Sequence, residues 1–363
     1  MAYRRPILRV HVVDPPAYTP PYDRALCAAL AAAGADVTLV TSAFRHGDVP
    51  PAHGYAVHER FYRRALPRAL QHVPDMLAYA AARRADRAGA PDVTHWQWAS
   101  VQELDWALRG RSGVHVLTAH DILPRVARPL QRAGQRRLHR GMDAVVVHTE
   151  HGRRRLVQEA GVDPARVHVI PHGAFTHLTS VPPARPPEIP DPCGDRPAVL
   201  LFGLLKPYKG LDVLYDAWRI AQPHADLWVV GAPRMQLPEP PSGVTVIPRF
   251  VTDAEAAWCL RHAALTVLPY REIEMSGVLF SALGLGRPLL LSDAGGFPEI
   301  AAAAHVRAGD AAALAAELQR LIADPAALDA LATASARAAR TTHAWDAIAA
   351  QHVTLYERLL AAA

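Results

Sequence analysis

The sequence predicts an α/β protein built from two doubly wound, Rossmann-like domains, and three observations support this fold class. The first is length: 363 residues is about twice the size of a typical single domain. The second is an alternation of short apolar runs with helical stretches, which is typical of parallel βαβ units. The third is an interruption of this alternation by seven prolines in residues 182–197.

The strands and helices of the first region follow from the spacing of apolar residues. Helices are predicted at residues 23–33, 66–88 and 125–140. Strands are predicted between them, at residues 9–14, 36–41, 92–98, 114–121, 143–149 and 167–172.

The second region repeats this pattern and ends in an alanine-rich helical tail. Its strands are predicted at residues 198–203, 227–231, 244–250, 265–270 and 288–293. We therefore predict an N-terminal domain at 1–178, an extended linker at 179–197, a second domain at 198–343 and a C-terminal helix at 344–363. One option is that this helix packs against the first domain. Two such domains predict a cleft, with ligands at the carboxyl ends of the strands that face it.

Composition excludes several classes of protein. Half of the residues are apolar and 20% are charged, which is unlike a disordered chain. No uncharged apolar run approaches the ~20 residues that span a bilayer, and the N-terminus lacks a signal-peptide pattern. Cys27, Cys193 and Cys259 are odd in number and far apart, which disfavours a disulfide framework or a cysteine zinc site. We expect a cytoplasmic protein.

Charge is unevenly distributed along the chain. Residues 1–180 hold 24 arginines against 15 acids, a net charge of +9, whereas residues 181–363 have a net charge of −4. The basic half predicts an anionic partner, either an acidic acceptor or an anionic membrane surface. The arginine stretches at 60–87 and 125–155 are most simply solvated helix faces, and docking on the inner face of a membrane or on a lipid acceptor is the alternative. A nucleic-acid partner is disfavoured because no recognition fold interleaves aromatic residues with these arginines.

Both lysines of the chain lie in one loop. Of the 39 basic residues 37 are arginine, while Lys206 and Lys209 follow a predicted strand and Gly203. An ammonium group is a compact point charge suited to phosphate, and the free amides of the following helix also favour anions. The loop therefore predicts a phosphate site, with a solvated turn as the alternative.

A second turn, at residues 270–278, also lies between a strand and a helix. Ser276 is predicted to cap that helix, and the amides around Gly277 are predicted to hold a phosphate oxygen. Glu272 and Glu274 would repel phosphate but accept hydrogen bonds from sugar hydroxyls. A third turn, at residues 293–299, contains paired glycines.

These three turns resemble, in this order, the second domain of the retaining glycosyltransferases of family 4, which have the two-domain GT-B fold. The strings are FGLLKPYKGLD at 202–212, LPYREIEMSGV at 268–278 and GRPLLLSDAGGFPE at 286–299. In the first domain the resemblance is weaker and covers TAHD at 118–121 and VIPHG at 169–173.

The resemblance implies roles for individual residues. Lys206 and Lys209 would hold the diphosphate of a UDP-sugar or GDP-sugar, and Lys209 would act in catalysis. His120 and Glu272 would be catalytic residues beside the donor sugar, with Glu274 the weaker candidate for its hydroxyls. The remaining donor-binding residues fall into three groups. Gly203 belongs to the loop of the two lysines, Arg249 and Phe250 would lie near the base, and Ser276, Gly277 and Val278 would lie near the phosphate.

The sequence departs from the family at one position. Members commonly have two glutamates eight positions apart, and the second binds the ribose. Here Ser281 stands at the second place, and Ile273 rather than an acid stands eight positions before it. How the ribose is held is therefore left open by the sequence.

The acceptor is expected to contact the first domain. The proline-rich loop after the first strand offers Tyr18, Thr19 and Tyr22, with a rigid turn as the alternative. His95 and Gln97 share one face of the strand that ends at residue 98. The 19 histidines form no persuasive metal cluster in the sequence, so we expect neither a protein-held metal nor a tightly bound cofactor.

The function predicted from the sequence is transfer of a hexose from a nucleotide-diphosphate sugar to an acceptor, with retained anomeric configuration. The alternatives are a nucleotide-sugar epimerase or inverting transferase of the same fold, and a catalytically weak GT-B binding partner. The donor sugar, its base and the acceptor are not specified by these motifs.

Overall fold

The computed structural model describes residues 7–45, 49, 51–85, 89–110, 112–124, 127–190 and 196–363. The N-terminal six residues, Cys193, and the ends of two predicted helices at 86–88 and 125–126 lie outside the described residues. The strands are β1 Arg9–Asp14, β2 Asp36–Thr41, β3 Ala56–Glu59, β4 Val93–Trp96, β5 Val114–Thr118, β6 Ala144–Val147, β7 Val167–Val169, β8 Ala198–Phe202, β9 Asp226–Val230, β10 Val244–Ile247, β11 Leu265–Leu268, β12 Leu289–Ser292 and β13 Ala304–Val306.

The helices alternate with these strands. They are α1 Pro20–Ala32, α2 Arg68–Ala85, α3 Gln102–Leu108, α4 Gln131–Arg140, α5 Glu150–Arg155, α6 Leu211–Ala221, α7 Asp253–His262, α8 Gly277–Gly284, α9 Ala311–Ala323, α10 Pro325–Arg340 and α11 Trp345–Ala362. Their starts follow local chemistry: Thr252 and Glu255 form a reciprocal capping box at the start of α7, which satisfies two otherwise free backbone donors.

The chain divides into two compact units. The first contains residues 1–172 and 345–363, and the second contains residues 173–344. The sheet of the first unit is parallel, with the order β3-β2-β1-β4-β5-β6-β7. Strand β3 was not expected from the sequence because it is an edge strand whose residues are largely exposed, so it lacks an apolar run.

The sheet of the second unit is also parallel, with the order β10-β9-β8-β11-β12-β13. Side chains on its two faces enter separate apolar cores, one around Trp228 and Phe280 and the other around Leu201 and Val229. Two parallel, doubly wound sheets confirm the predicted fold class.

The proline-rich segment differs from the predicted extended linker. Residues 173–190 belong to the second unit, where Ile189 is fully buried and the Ala184 amide donates to the Ala254 carbonyl at 3.0 Å. Proline restricts the backbone, but it does not prevent the intervening apolar side chains from packing. Helix α11 belongs to the first unit, where it packs against α1.

Within the described residues, the helices are too short or too polar to cross a membrane.

Candidate functional site

The candidate site of the second unit lies where its strand order reverses. Strands β8 and β11 are neighbours in the sheet, but helices leave them in opposite directions along the strand order. In doubly wound sheets ligands bind at the carboxyl ends of the strands flanking this switch point. The lysine loop, residues 203–210, follows β8, and the second turn follows β11. Topology therefore brings together two segments that are about 60 residues apart in the sequence.

Close backbone contacts fix the loops around this switch point. Gly231, which follows β9, has φ of 145°, and a Cβ atom there would lie 2.2 Å from the Gly203 carbonyl oxygen. Gly295 has φ of 58°, and a Cβ atom there would lie 1.7 Å from the Ile273 carbonyl oxygen. A residue with a side chain would push either pair of loops apart, so Gly295, the first glycine of the third turn, has a structural reason.

Lys209 is the most unusual side chain of the site. It is only 6% exposed, and its Nζ donates to the Phe202 carbonyl at 3.1 Å. The Nζ also lies 5.1 Å from the centroid of the Tyr270 ring. Burial lowers the pKa of Lys209 from 10.5 to about 7, because a charged ammonium loses hydration there.

Lys206 occupies a different environment in the same loop. It stands immediately before a short 3₁₀ turn, Pro207–Lys209, and is half-buried. The structure therefore distinguishes two lysines that the sequence treats alike: one is buried beneath the loop and the other lies at its edge.

The two glutamates of the second turn differ in their exposure to solvent. Glu272 is exposed, whereas Glu274 is buried and 8% exposed. The sequence predicts Glu272 as the first candidate for contact with the donor sugar, and the structure separates the two glutamates only by their exposure. Nothing in the local sequence pattern separates two glutamates two positions apart on an irregular turn.

Ser276, Gly277 and Val278 form the start of α8. Ser276 takes the predicted N-cap position and is buried, but its side chain makes no capping hydrogen bond. The Val278 side chain lies beside Gly203, so the start of α8 reaches the lysine loop. Ser281 donates to the Gly277 carbonyl at 3.0 Å within the helix, and no carboxylate replaces the missing glutamate at that position.

Arg249 and Phe250 lie beyond β10 but are not equivalent. The Arg249 guanidinium pairs with Glu188 at 2.7 Å and with Glu255 at 2.6 Å, so it anchors the segment before β8 to α7. Phe250 is 68% exposed, and the Arg234 guanidinium lies 5.8 Å from its ring centroid. Arg234 was missed by sequence reasoning; its position just after β9, at the same sheet edge as the lysine loop, could have indicated it.

His120 lies in the first unit within a cluster of aromatic and histidine rings. Its ring stacks on Trp98, with centroids 5.0 Å apart and an angle of 15° between planes. Burial lowers the pKa of His120 well below 6.5, so the ring is neutral.

Both ring nitrogens of His120 lie beside polar groups of the first unit. His120 Nε2 lies 3.1 Å from Gln97 Oε1, which can only accept, so the neutral ring donates its Nε2–H to that oxygen. His120 Nδ1 lies 3.3 Å from His148 Nε2, and His148 Nδ1 lies 3.0 Å from the Ile170 carbonyl oxygen.

Three predicted acceptor residues are buried instead. Tyr22 is 1% exposed, with its ring 4.8 Å from those of His120 and His172. His95 is fully buried between Tyr356 and Thr118, and Gln97 is also buried. His95 lies in β4 and Gln97 directly follows it, and a helix from the chain's far end, α11, covers His95.

Tyr18 and Thr19 remain accessible from the predicted acceptor set. Tyr18 is 66% exposed with its ring 4.6 Å from that of Trp98, and Thr19 accepts a hydrogen bond from the Trp98 indole at 2.9 Å. Beside them, within the first unit, a cavity of about 170 Å³ is lined by polar groups. They include Gln97, His120, Asp121, Gln135 and His139.

Metal ligands do not cluster in the described ranges of the chain. No group of three or more histidine, cysteine, aspartate or glutamate side chains there has the arrangement of a metal site.

Comparisons with known families cover most of both units. A family model described as "Glycosyltransferase Family 4" matches residues 23–177, and one described as "Glycosyl transferases group 1" matches residues 196–324. These matches agree with the resemblance seen in the motifs.

Similarity to curated proteins is confined to a shorter stretch. The chain is 34% identical over 101 residues to a "GDP-mannose:glycolipid 4-beta-D-mannosyltransferase" of Xanthomonas campestris pv. campestris. The match covers 25% of this chain. The match spans 29% of the length of that relative.

Solved structures match over nearly the whole chain at low sequence identity. Sucrose-phosphate synthase from Thermosynechococcus elongatus has a TM-score of 0.74 and 21% identity, covering 98% of this chain and 100% of that one. HepE from Anabaena, in complex with UDP, has a TM-score of 0.68 and 15% identity, covering 97% of this chain and 100% of that one. Both show the GT-B fold of the chain.

Proposed function

This chain belongs to glycosyltransferase family 4, and on that premise we propose that it transfers a hexose from a nucleotide-diphosphate sugar to an acceptor with retained anomeric configuration. The observation that carries the proposal is the buried ammonium of Lys209 at the switch point of the second unit. Burial of a lysine is unfavourable in the free protein, and a diphosphate supplies the opposite charge that this lysine needs.

The diphosphate is also the leaving group of the reaction. Negative charge grows on it as the bond to the sugar breaks, and a charged donor fixed in advance stabilises that charge without reorganisation. Lys209, Lys206 and the free amides at Ser276, Gly277 and Val278 are the donors we assign to it. Loss of one such donor typically raises the barrier by ~2.7–4 kcal/mol.

We assign the hydroxyls of the donor sugar to Glu274, with Glu272 as the second candidate. A buried carboxylate has few competing waters, so its hydrogen bonds to hydroxyl groups discriminate better than those of an exposed one. The exposed ring of Phe250, with Arg234 over it, offers a stacking surface for the nucleotide base.

The base of the donor is either uracil or guanine in this proposal. The name of the Xanthomonas relative contains GDP-mannose, and the HepE structure contains UDP. We propose that transfer needs no metal ion, because Lys206 and Lys209 supply the positive charge; full activity after dialysis against EDTA is the expected result.

The acceptor we propose is lipid-linked and anionic. The name of the Xanthomonas relative contains a glycolipid, and the basic first half of this chain favours an anionic molecule. Tyr18 and Thr19 are the accessible residues we assign to it, and His120 is assigned to the donor sugar by the family resemblance. A cytoplasmic location at the inner face of the membrane is consistent with this acceptor.

The test is a panel of UDP-sugars and GDP-sugars with lipid-linked acceptors, read by product formation and by NMR of the new anomeric centre. An α-linked product from an α-linked donor is expected. A β-linked product, as named for the Xanthomonas relative, would replace retention by an inverting transfer. Epimerised donor without transfer would indicate an epimerase, and nucleotide binding without any turnover would indicate a catalytically weak binding partner.

A further inference from the structure

The helical layer formed by α2, α3 and α4 in the first unit has an unusual outer surface. Helix α3 packs against both α2 and α4, so the three helices form one continuous layer. Six of the eleven large apolar side chains exposed in the described chain belong to these helices or to the segments directly before α2 and α4, each between 39% and 77% exposed. They are Leu66, Leu70, Leu77, Leu104, Trp106 and Leu130.

Helix α2 has apolar residues on two faces. Met76 and Tyr79 face the core of the first unit, while Leu70, Pro74 and Leu77 form an exposed stripe at helical spacing. The stripe is not needed for the core, because the opposite face of the helix already provides the buried contacts. Apolar groups concentrated on one exposed layer mark an interaction surface.

Arginines accompany these apolar groups. Arg68, Arg132, Arg136 and Arg137 are exposed on these helices, and Arg63 and Arg64 are exposed in the segment before α2. Arg137 also lies 5.4 Å from the ring centroid of Trp106, which places a cation directly beside an exposed aromatic group.

The three acids of α2, α3 and α4 bind groups other than the six arginines named above. Asp75 accepts the backbone amide of Tyr62 at 2.8 Å, and Asp105 binds the buried His72 at 2.5 Å. Glu103 pairs with Arg128 at 3.1 Å. The outer surface of the layer is therefore strongly positive as well as apolar.

We infer that this layer docks on an anionic lipid bilayer, with the leucines and Trp106 in the interfacial region and the arginines on the lipid phosphates. Basic groups are attracted to the phosphates of such a surface, and apolar side chains add burial. A protein partner fits less well, because the centre of a protein interface is depleted of charged residues whereas arginines interleave with the leucines here. The inference builds on the lipid-linked acceptor proposed above, which this docking would place within reach of the enzyme.

The test is co-sedimentation of the full chain with vesicles, which needs no turnover. Binding is expected to vesicles of phosphatidylcholine containing about 30% phosphatidylglycerol, and not to phosphatidylcholine alone. The double variant Leu70→Ser/Leu77→Ser is expected to lower the vesicle affinity at least about tenfold. Arg132→Glu/Arg136→Glu is expected to abolish the preference for anionic vesicles.

Ile220→Ser is the matched control, since Ile220 is equally exposed on α6 of the second unit. Its vesicle affinity, and the melting temperature and nucleotide affinity of all variants, are expected to stay at the original values. Equal binding to neutral vesicles, or full binding by the leucine variant, would overturn the inference. The inference would also be overturned if the original chain bound no vesicles and formed a dimer in solution, while the leucine variant was a monomer. Vesicle binding without sugar transfer would contradict the proposed reaction but support the docking surface.

Discussion

Replacing Lys209 by methionine is expected to stabilise the nucleotide-free protein while it removes activity. Methionine keeps most of the length and apolar volume of the lysine stem but has no charge to bury. The structure buries the lysine at 6% exposure, and burial is the cause of its lowered pKa. A residue that is unfavourable for folding at such a position has a reason other than stability.

The magnitude follows from the pKa. A fall from 10.5 to about 7 corresponds to roughly 5 kcal/mol of unfavourable burial for the charged form, at 1.36 kcal/mol for each pKa unit. Losing the hydrogen bond to Phe202 and the contact with the Tyr270 ring offsets about 2–3 kcal/mol of that. We expect a net gain of about 2 kcal/mol at pH 7, which is a rise of about 4–8 °C in melting temperature.

The sign of the pH dependence is fixed by the direction of the shift. Between pH 7 and 10.5 the unfolded chain holds a proton on Lys209 that the folded chain has released, so the original protein gains stability as pH rises. The advantage of Lys209→Met is therefore largest at or below pH 7 and is expected to vanish by about pH 9. Calorimetry at pH 6, 7, 8 and 9 measures this, with Lys206→Met, at the half-buried edge of the loop, as the control variant.

Binding of UDP or GDP adds a second measurement on the same residue. At pH 8 the free protein holds Lys209 mostly neutral, and the bound diphosphate is expected to restore its proton. Titration calorimetry in Tris and in HEPES should then show uptake of nearly one proton, which Lys209→Met abolishes. A variant that is less stable than the original at pH 7, together with no proton uptake by the original, would refute the reasoning.

The remaining predictions concern three other positions. His120→Ala is expected to lower kcat by about a hundredfold or more while the affinity for UDP or GDP stays within about twofold, measured by steady-state kinetics and calorimetry; unchanged product formation would remove His120 from the reaction. Glu274→Gln is expected to reduce kcat/KM for the donor about a hundredfold, whereas Glu272→Gln changes it less than about fivefold; the reverse order would return the sugar contact to Glu272. Gly231→Ala is expected to destabilise the second unit by about 3 kcal/mol in urea, because its Cβ would meet a carbonyl of the lysine loop at 2.2 Å. Gly243→Ala, which also has positive φ but open space around it, should cost about 1 kcal/mol, and equal effects would contradict the clash.

The sequence by itself determined the fold and the place of the candidate site. Apolar runs of four to six residues separated by helical spacing are a local property, and β1 and β2 have the predicted bounds. Gly203 and the two lysines directly follow a strand, so their position at the carboxyl edge of a parallel sheet required no tertiary information.

The tertiary structure decided which side chains are available. The sequence assigns His95 and Tyr22 to an acceptor, but α11, more than 250 residues further on, covers His95 in β4, and neighbouring rings enclose Tyr22 in α1. Arg249 looks like a free cation in the sequence until Glu188 and Glu255 pair with it. Burial and charge pairing depend on contacts between distant parts of the chain, and local patterns do not contain that information. For the same reason, only packing shows that Lys209 is the lysine whose pKa is lowered by burial, while Lys206 lies at the edge of the loop.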